Sequence, residues 1–439
     1  MSAMFSSLAV RNYRLWFAGA LVSNIGTWMQ RIAQDWLVLT ELTNEDAQAV
    51  GITVGLQFAP MLLLLPWTGM VADRFDRRKV MAVTQSSMAV LGAGLGIVTL
   101  TGVVELWMVY GFALLLGVAA AFDSPARQAM VGELVPNAQL SNAVSLNSAS
   151  FNGARLIGPG IAGLLIAAIG PGWVFIVNVG TFLAVLVALA VLRRSDLIPL
   201  ERGMRGRGAI REGLRYVRGR RDLILVLVLV FIWGTFGMNF TVYLSTMTRI
   251  VFGLGPEAYG VLSSVLAIGS VSGALLSARR ETPRLAVVAW AALGAAASLA
   301  VAAYAPNPWV FAVALIAVGV SAMTLMTTAN SYVQITTPPA MRGRVMALYM
   351  AIFTGGTPIG APLMGVLAQT AGPRVAMLSG SIAAFVVVVI AVVYFLRTAS
   401  LRISWEPERR WPLRFTGAAS DRELATTEIA VVETESHKV

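Results

Sequence analysis

The chain has 439 residues, of which 57% are hydrophobic and 13% are charged, with a net charge of +11. A soluble protein keeps about a quarter of its residues charged, so this composition excludes an ordinary soluble domain. Uncharged, mainly apolar blocks at 80–100 and 285–303 match the roughly twenty residues that span a bilayer core. The sequence therefore predicts an all-α integral membrane protein.

Twelve apolar segments follow one another along the chain, and we number them helix 1 to helix 12. Their predicted ranges are 13–40, 48–72, 80–101, 106–127, 139–169, 173–193, 222–248, 257–278, 285–305, 309–332, 343–370 and 374–397. With the N-terminus in the cytoplasm, all but four of the 33 Lys and Arg residues fall on the cytoplasmic side. The exceptions are Arg249 and Arg374, which face outward, and Arg31 and Arg155, which lie within the membrane. We predict twelve spans in the plasma membrane with both termini cytoplasmic.

Other classes of function lack the residues that they need. The positive charge follows membrane topology, so a nucleic-acid partner is not predicted. The chain has no cysteine and a single histidine, His437, which argues against disulfides, thiol nucleophiles and zinc sites. It also lacks a Gly-x-x-x-x-Gly-Lys-Ser/Thr loop for nucleotide phosphates. We expect a protein that is not an enzyme, with no metal or cofactor, and with an uncleaved first span.

The two halves of the chain repeat each other. A shift of 202 residues superimposes Pro136 and Gly170 on Pro338 and Gly372. Such a repeat predicts two pseudo-symmetric six-helix halves. The predicted units are an N-terminal half over 1–193, a basic cytoplasmic linker over 194–221, a C-terminal half over 222–397 and a disordered cytoplasmic tail over 398–439. A solvated linker is the simpler interpretation, although residues 210–217 can form a short amphipathic helix.

Charge is concentrated between helices 2 and 3, in the stretch GMVADRFDRRK that begins at Gly69. This stretch resembles the signature loop of the major facilitator superfamily, Gly-x-x-x-Asp-Arg-x-Gly-Arg-Arg/Lys, with Asp76 at the usual glycine. The resemblance implies a relay of charges that braces one conformation of a transporter. Its members here are Gly69, Asp73, Arg74, Arg77, Arg78 and, in helix 4, Asp123. The alternative is that the bases only determine topology, in which case Asp73 is not needed.

A second motif, GARLIGPGIAG over 153–163, lies in helix 5. It resembles the antiporter motif Gly-Pro-x-x-Gly-Gly of the exporting branches, although the final pair reads Ala-Gly. The matching residues are Gly153, Gly158, Pro159, Gly160 and Gly163. The resemblance implies export, and ordinary packing of small residues between helices is the alternative.

Residues 11–39 and 122–136 are similar to the enterobactin-exporter-like branch of the superfamily, which includes siderophore exporters and macrolide-type efflux proteins. The resemblance implies a monomeric secondary active transporter with alternating access. It would export an amphipathic small molecule, such as a drug, an antibiotic or a siderophore-like compound, by proton antiport. An importer, a lipid or lysolipid transporter and a non-transporting membrane sensor of the same fold are the alternatives.

Three ionisable residues lie at the predicted membrane depth, where charge is costly and usually functional. Arg31 and Asp35 are spaced i, i+4 in helix 1, so they share a helix face and can pair. Arg155 in helix 5 is a second partner for Asp35. We predict that Asp35 couples transport to protons, with the two arginines holding it ionised. A static salt bridge is the alternative.

Polar residues inside the spans supply candidates for the substrate cavity. Helices 1, 7 and 10 line that cavity in the fold that the resemblance implies. The candidates on these helices are Asn24, Gln30, Gln34, Asn239 and Asn330. Hydrogen bonding between helices is the alternative role for such residues.

Overall fold

The structure, a computed structural model, describes residues 3–198, 209–278, 280, 283–398, 402–405 and 413–416. Nearly all of them are helical. The N-terminal half consists of a 3-10 helix (Ala3–Ala9), helix 1 (Arg11–Leu37, extended by a π-helical turn, Val38–Leu42), helix 2 (Ala47–Leu63 and Leu65–Arg74), helix 3 (Arg77–Leu100), helix 4 (Leu106–Leu134), helix 5 (Asn137–Ile169) and helix 6 (Pro171–Val191).

A 3-10 turn (Arg194–Asp196) and a linker helix (Ala209–Arg218) lead to the C-terminal half. Its elements are helix 7 (Arg221–Ile232, Trp233–Gly237, Phe240–Thr246 and Met247–Val251), helix 8 (Pro256–Ala278), helix 9 (Leu285–Ala303), helix 10 (Pro308–Thr336), helix 11 (Pro339–Ala371) and helix 12 (Pro373–Thr398).

The tail that was expected to be disordered contains two short antiparallel strands, β1 (Arg402–Trp405) and β2 (Leu413–Thr416). Arg402 pairs with Thr416 and Trp405 pairs with Leu413. Backbone hydrogen bonds alone align such a pair, so the low hydrophobicity of the tail does not prevent it. The rest of the tail lies outside the described residues.

Ten of the described helices are long and apolar enough to cross a membrane. Helix 1 is long but carries polar side chains between Asn24 and Asp35, and helix 2 is divided at Leu64, which leaves a continuous apolar stretch of 17 residues. Pro66 explains the division, because a proline has no amide hydrogen to continue the helical ladder. Helices 1 and 2 therefore account for the difference between these ten spans and the twelve that the sequence predicts.

Backbone geometry repeats at positions 202 residues apart in the two halves. Pro136 and Pro338 precede helices 5 and 11 with extended backbones. Gly170 and Gly372 end the same two helices at φ angles of 81° and 95°, in the left-handed region where glycine avoids a steric penalty. The repeat that the sequence predicts therefore corresponds to matching helix ends.

The helix ends alternate between two faces of the molecule. We call the face where helix 1 begins and helix 12 ends the terminal face, and the opposite one the far face. Near the far face, helix 5 packs against helix 8 and helix 2 against helix 11. A Cβ on Gly163 would lie 3.0 Å from the Cα of Gly260, and one on Gly365 would lie 3.0 Å from the Cα of Gly51. These glycine contacts form what we call the far seam between the halves.

Polar contacts also cross the far seam. The Arg249 Nε lies 2.8 Å from a carboxylate oxygen of Glu45. The backbone amide of Ala47 donates to the side chain of Gln369 at 2.9 Å. Because the contact residues come from both halves, the far face is closed in this conformation.

Candidate functional site

Two arginines meet between helices 1, 2 and 5. The guanidinium carbon of Arg31 lies 5.0 Å from the ring centroid of Trp28 and 4.8 Å from that of Phe58. The guanidinium carbon of Arg155 lies 5.5 Å from the Trp28 ring, and the Phe151 ring contacts Trp28 with centroids 6.0 Å apart. We call these five residues the arginine–aromatic cluster.

Helical spacing and a small residue assemble this cluster. Trp28 and Arg31 are three residues apart on helix 1, and Phe151 and Arg155 are four apart on helix 5, so each pair shares a helix face. Gly158 lets the two helices approach, because a Cβ there would lie 2.7 Å from the Cβ of Trp28. Phe151 is 49% exposed and the other four side chains are partly exposed. Each cation–π contact contributes about 0.5–2 kcal/mol, depending on hydration.

Asp35 lies one turn beyond Arg31, next to the far seam. It is 1% exposed, and neither carboxylate oxygen has a hydrogen-bond partner among the described residues. The expected ion pairs of Asp35 with Arg31 and Arg155 are not formed. The reason is that both guanidinium groups turn toward the Trp28 ring instead.

A stacked ring pair joins the two halves beside Asp35. Trp36 of helix 1 stacks on Tyr259 of helix 8, with ring centroids 5.8 Å apart and ring planes at 24°. Tyr259 is fully buried, and its hydroxyl has no hydrogen-bond partner among the described residues. The Trp36–Tyr259 pair therefore adds an aromatic contact between the two halves.

The glutamines of helix 1 are buried in the N-terminal half. The Asn178 side chain donates to Gln30, Gln57 donates to Gln34 at 3.2 Å, and Gln34 donates to the backbone of helix 4 at 3.3 Å. Beside them lies a cavity of about 40 Å³, which has room for about one water molecule. In this conformation both glutamines form hydrogen bonds between helices.

The three asparagine candidates occupy different environments. Asn24 is buried and donates to Ser150 at 3.4 Å. Asn239 is buried where helix 7 loses its regular geometry and donates to a carbonyl of its own helix at 2.7 Å. Asn330 accepts a hydrogen bond from Gln334 and is partly exposed. Of the five cavity candidates, Asn330 alone is partly exposed.

Charged side chains of the signature loop form an ion pair and a helix cap that the motif does not indicate. Arg77 forms an ion pair with Glu133, at the end of helix 4. Asp76 caps helix 3 by accepting from the backbone amides of Arg78 and Lys79, a role that explains an acid at the usual glycine. No motif in the sequence indicates Glu133, although it lies shortly after the end of a predicted span.

Among the described residues, Asp123 contacts helices 3 and 4 and not the arginines of the signature loop, and the predicted relay stays a prediction because the Asp73 side chain is not described. Asp123 is buried and accepts from Thr84 at 2.8 Å, Gln85 at 2.9 Å and Arg127 at 2.9 Å. These three hydrogen bonds come from residues of helices 3 and 4. Asp123 therefore fastens these two helices together.

The remaining residues of the signature loop differ in exposure. Arg74 is exposed, Gly69 is partly exposed in helix 2, and Arg78 is partly buried with one guanidinium nitrogen unpaired among the described residues. The side chain of Asp73 lies outside the described part of the structure. Its role stays a prediction.

The antiporter-like motif places helix 5 between the two halves. Gly158 faces helix 1, whereas a Cβ on Gly160 would lie 3.0 Å from the Ser264 hydroxyl of helix 8. Pro159 lies inside helix 5, and Gly163 forms part of the far seam. A Cβ on Gly153 would meet nothing within 4 Å. All of the motif glycines except Gly153 therefore serve close helix packing.

Comparisons with known proteins agree with this architecture. A family model described as a transmembrane secretion effector matches residues 2–424. The chain is 26% identical over 378 residues to the staphyloferrin A transporter of Staphylococcus aureus, covering 82% of this chain and 90% of that protein.

Two further relatives are named for efflux. The multidrug efflux pump Tap of Mycolicibacterium fortuitum is 28% identical over 88% of this chain and 96% of its own length. The macrolide efflux protein A of Streptococcus pyogenes is 22% identical over 91% of this chain and 99% of its own length.

A solved structure of a bacterial homologue of the human lysosomal transporter Spinster, inward-facing and unoccupied, has a TM-score of 0.67 to this chain. It is 14% identical and covers 88% of this chain and 97% of its own. At this identity the likeness shows the fold alone.

Proposed function

Because the chain belongs to the major facilitator superfamily, we propose that it exports an amphipathic small molecule by alternating access, in exchange for protons taken up at Asp35. The protein is a multi-pass membrane transporter and not an enzyme. Export is supported by two relatives that are named for efflux.

The orientation follows from the distribution of charge. Of the basic side chains near the helix ends, Arg77, Arg193, Arg284 and Arg397 lie at the terminal face. Excess Lys and Arg in short loops mark the cytoplasmic side. We therefore place the terminal face in the cytoplasm and the closed far face outside the cell.

The proposal depends mainly on the burial of the Asp35 carboxylate. An ionised carboxylate without hydrogen bonds or an ion pair is very costly to bury, yet both Asp35 oxygens are buried beside the closed far seam and have no hydrogen-bond partner among the described residues. Protonation lowers that cost, so a neutral Asp35 favours the closed far face and an ionised Asp35 favours opening. Uptake of an external proton would thereby close the far face and return the transporter to the conformation that faces the cytoplasm.

The close glycine contacts of the far seam also support alternating access by a movement of the two halves. Glycine-to-glycine contacts between helices 5 and 8 and between helices 2 and 11 allow close approach without interlocking side chains. The two contacts are related by the internal repeat, because Gly163 and Gly365 are 202 residues apart. A rocking motion can therefore open both contacts together.

The first test measures direction and coupling. Inside-out vesicles are supplied with 2-naphthoate, 2-naphthamide or 2-naphthylmethylammonium, and uptake is followed with and without an imposed proton gradient. Proton-dependent accumulation of at least one probe, lost in Asp35→Asn, is the expected result. Accumulation only in right-side-out vesicles would identify an importer, and wild-type uptake by Asp35→Asn with an unchanged pH profile would refute coupling at this residue.

The second test follows the conformation itself. The chain has no cysteine, so spin labels can be placed uniquely at Val103→Cys and Tyr304→Cys, two exposed positions in far-face loops of opposite halves. Lowering the pH should shift the interlabel distance toward the short, closed population. Asp35→Asn should remain in that population at every pH, and a distance distribution that still responds to pH would contradict the proposal.

A further inference from the structure

Among the described residues, Arg31 and Arg155 are cations at membrane depth without carboxylate partners. The five ion pairs among the described residues involve other arginines. Both guanidinium groups instead lie over the Trp28 ring. A charge inside a membrane protein is normally paired or serves a ligand, so two cations on one ring require an explanation beyond folding.

The surroundings of the pair do not neutralise it. The two arginines repel each other electrostatically, and Asp35 is within electrostatic range of Arg31 but forms no ion pair with it. The polar groups beside Arg31 in the small internal cavity are uncharged, namely Thr27, Gln30, Gln34 and Gln57. The cluster therefore carries net positive charge.

The aromatic rings add a second kind of recognition. Phe58 and Phe151 flank Trp28 and Arg31 from helices 2 and 5, and Phe151 is 49% exposed. Guanidinium groups bind carboxylates and phosphates through paired hydrogen bonds in a planar geometry. Ring faces next to them accept the apolar part of the same molecule.

We infer that the arginine–aromatic cluster binds the negatively charged group of the exported molecule, while the aromatic or apolar body of that molecule packs on Trp28, Phe58 and Phe151. The inference rests on the proposed function, because it assigns the substrate class of the same transport path. Substrates are therefore organic anions, such as carboxylates or phosphate esters. Organic cations are repelled by two like charges, and the membrane potential itself favours outward movement of an anion.

Binding can be measured without knowing the natural substrate. The full chain is reconstituted in nanodiscs of zwitterionic lipid and titrated by calorimetry with 2-naphthoate, 2-naphthamide and 2-naphthylmethylammonium, which share one ring system. We expect the carboxylate to bind at least tenfold more tightly than the amide, and the ammonium most weakly. Equal affinities for the three probes in the wild-type protein would overturn the inference without any variant.

Variants then locate the anion site. Arg31→Gln and Arg155→Gln should each weaken naphthoate binding at least tenfold and change naphthamide binding less than twofold. Arg31→Lys and Arg155→Lys keep the charge and should retain part of the preference. Arg218→Gln, at an exposed position of the linker helix, is the matched control and should bind like the wild type. Melting temperatures identify variants that fail to fold. If a glutamine variant does not fold, naphthoate binding by the lysine variant at the same position is used to test the anion site.

The same probes separate this inference from the proposed function. If vesicles export the ammonium or the amide in a proton-dependent manner and the arginine variants remain active, the exporter stands and the anion site is wrong. If the carboxylate binds through both arginines but no probe moves with a proton gradient, the site stands and proton-coupled export is wrong.

Discussion

The two halves share a backbone plan but hold their terminal faces together with different chemistry. In the N-terminal half, Arg77 pairs with Glu133 and Asp123 joins helices 3 and 4. The corresponding loop of the C-terminal half has Ser277 at the position that matches Asp73. There the linker helix supplies the charge instead, through an ion pair of Glu212 with Arg344 at 2.7 Å.

A second set of contacts strengthens the C-terminal arrangement. Arg220 pairs with Asp222 at 2.6 Å and also donates to Tyr216 of the linker helix at 3.2 Å. Tyr332 of helix 10 donates to Asp222 at 3.0 Å. An internal repeat thus preserves helix packing while the polar bonds diverge, because packing depends on small residues at fixed spacing and a polar bond needs only two nearby partners.

The sharpest difference between the halves is charge at membrane depth, since Asp35, Arg31 and Arg155 all belong to the N-terminal half. Asp35→Asn should lower proton-driven transport at least tenfold and remove its pH dependence. Asp222→Asn is the matched acid of the C-terminal half, and we expect it to keep a normal pH profile. A pH profile that is altered by Asp222→Asn and not by Asp35→Asn would reverse this assignment.

Replacement of a far-seam glycine by alanine should impair transport to a similar extent in both halves. Gly163→Ala and Gly365→Ala each place a Cβ 2.6 Å from a backbone oxygen of the partner helix, so neither variant can close the far face fully. Transport should fall severalfold in both. Gly153→Ala, which adds a Cβ in open space, should transport normally, and equal loss in all three variants would show a general effect of glycine replacement.

Removal of the Asp123 carboxylate tests how the N-terminal half is held. Asp123→Asn leaves the mostly buried guanidinium of Arg127 without its ionic partner, and breaking a buried pair costs about 3–5 kcal/mol. A lower melting temperature is therefore expected. Arg127→Gln combined with Asp123→Asn should restore part of the loss, and no change in either variant would mean that the pair is dispensable.

The smallest effect is expected at the linker helix. Glu212 is largely exposed in its pair with Arg344, and exposed ion pairs contribute at most about 1 kcal/mol. Glu212→Gln should shift the melting temperature far less than Asp123→Asn, and high salt should reproduce its effect. A shift as large as that of Asp123→Asn would show that the linker helix is essential to the C-terminal half.

The membrane class, the repeat and the helix ends could be predicted from sequence, because they depend on local properties. Transfer of an apolar segment into a bilayer depends on residue type and length, and Gly170 and Gly372 end their helices through their own backbone freedom. Residue spacing likewise determined which side chains share a face of helix 1 and which share a face of helix 5.

The partners of the charged side chains were decided only by the tertiary structure. The i, i+4 spacing permitted a pair of Arg31 with Asp35, but the ring of Trp28 lies within reach of the guanidinium and leaves Asp35 at the far seam. Asp123 likewise matched a motif position and bonds to its neighbouring helices instead. Long side chains reach several partners, so the choice depends on how the helices are packed in three dimensions, which no local pattern encodes.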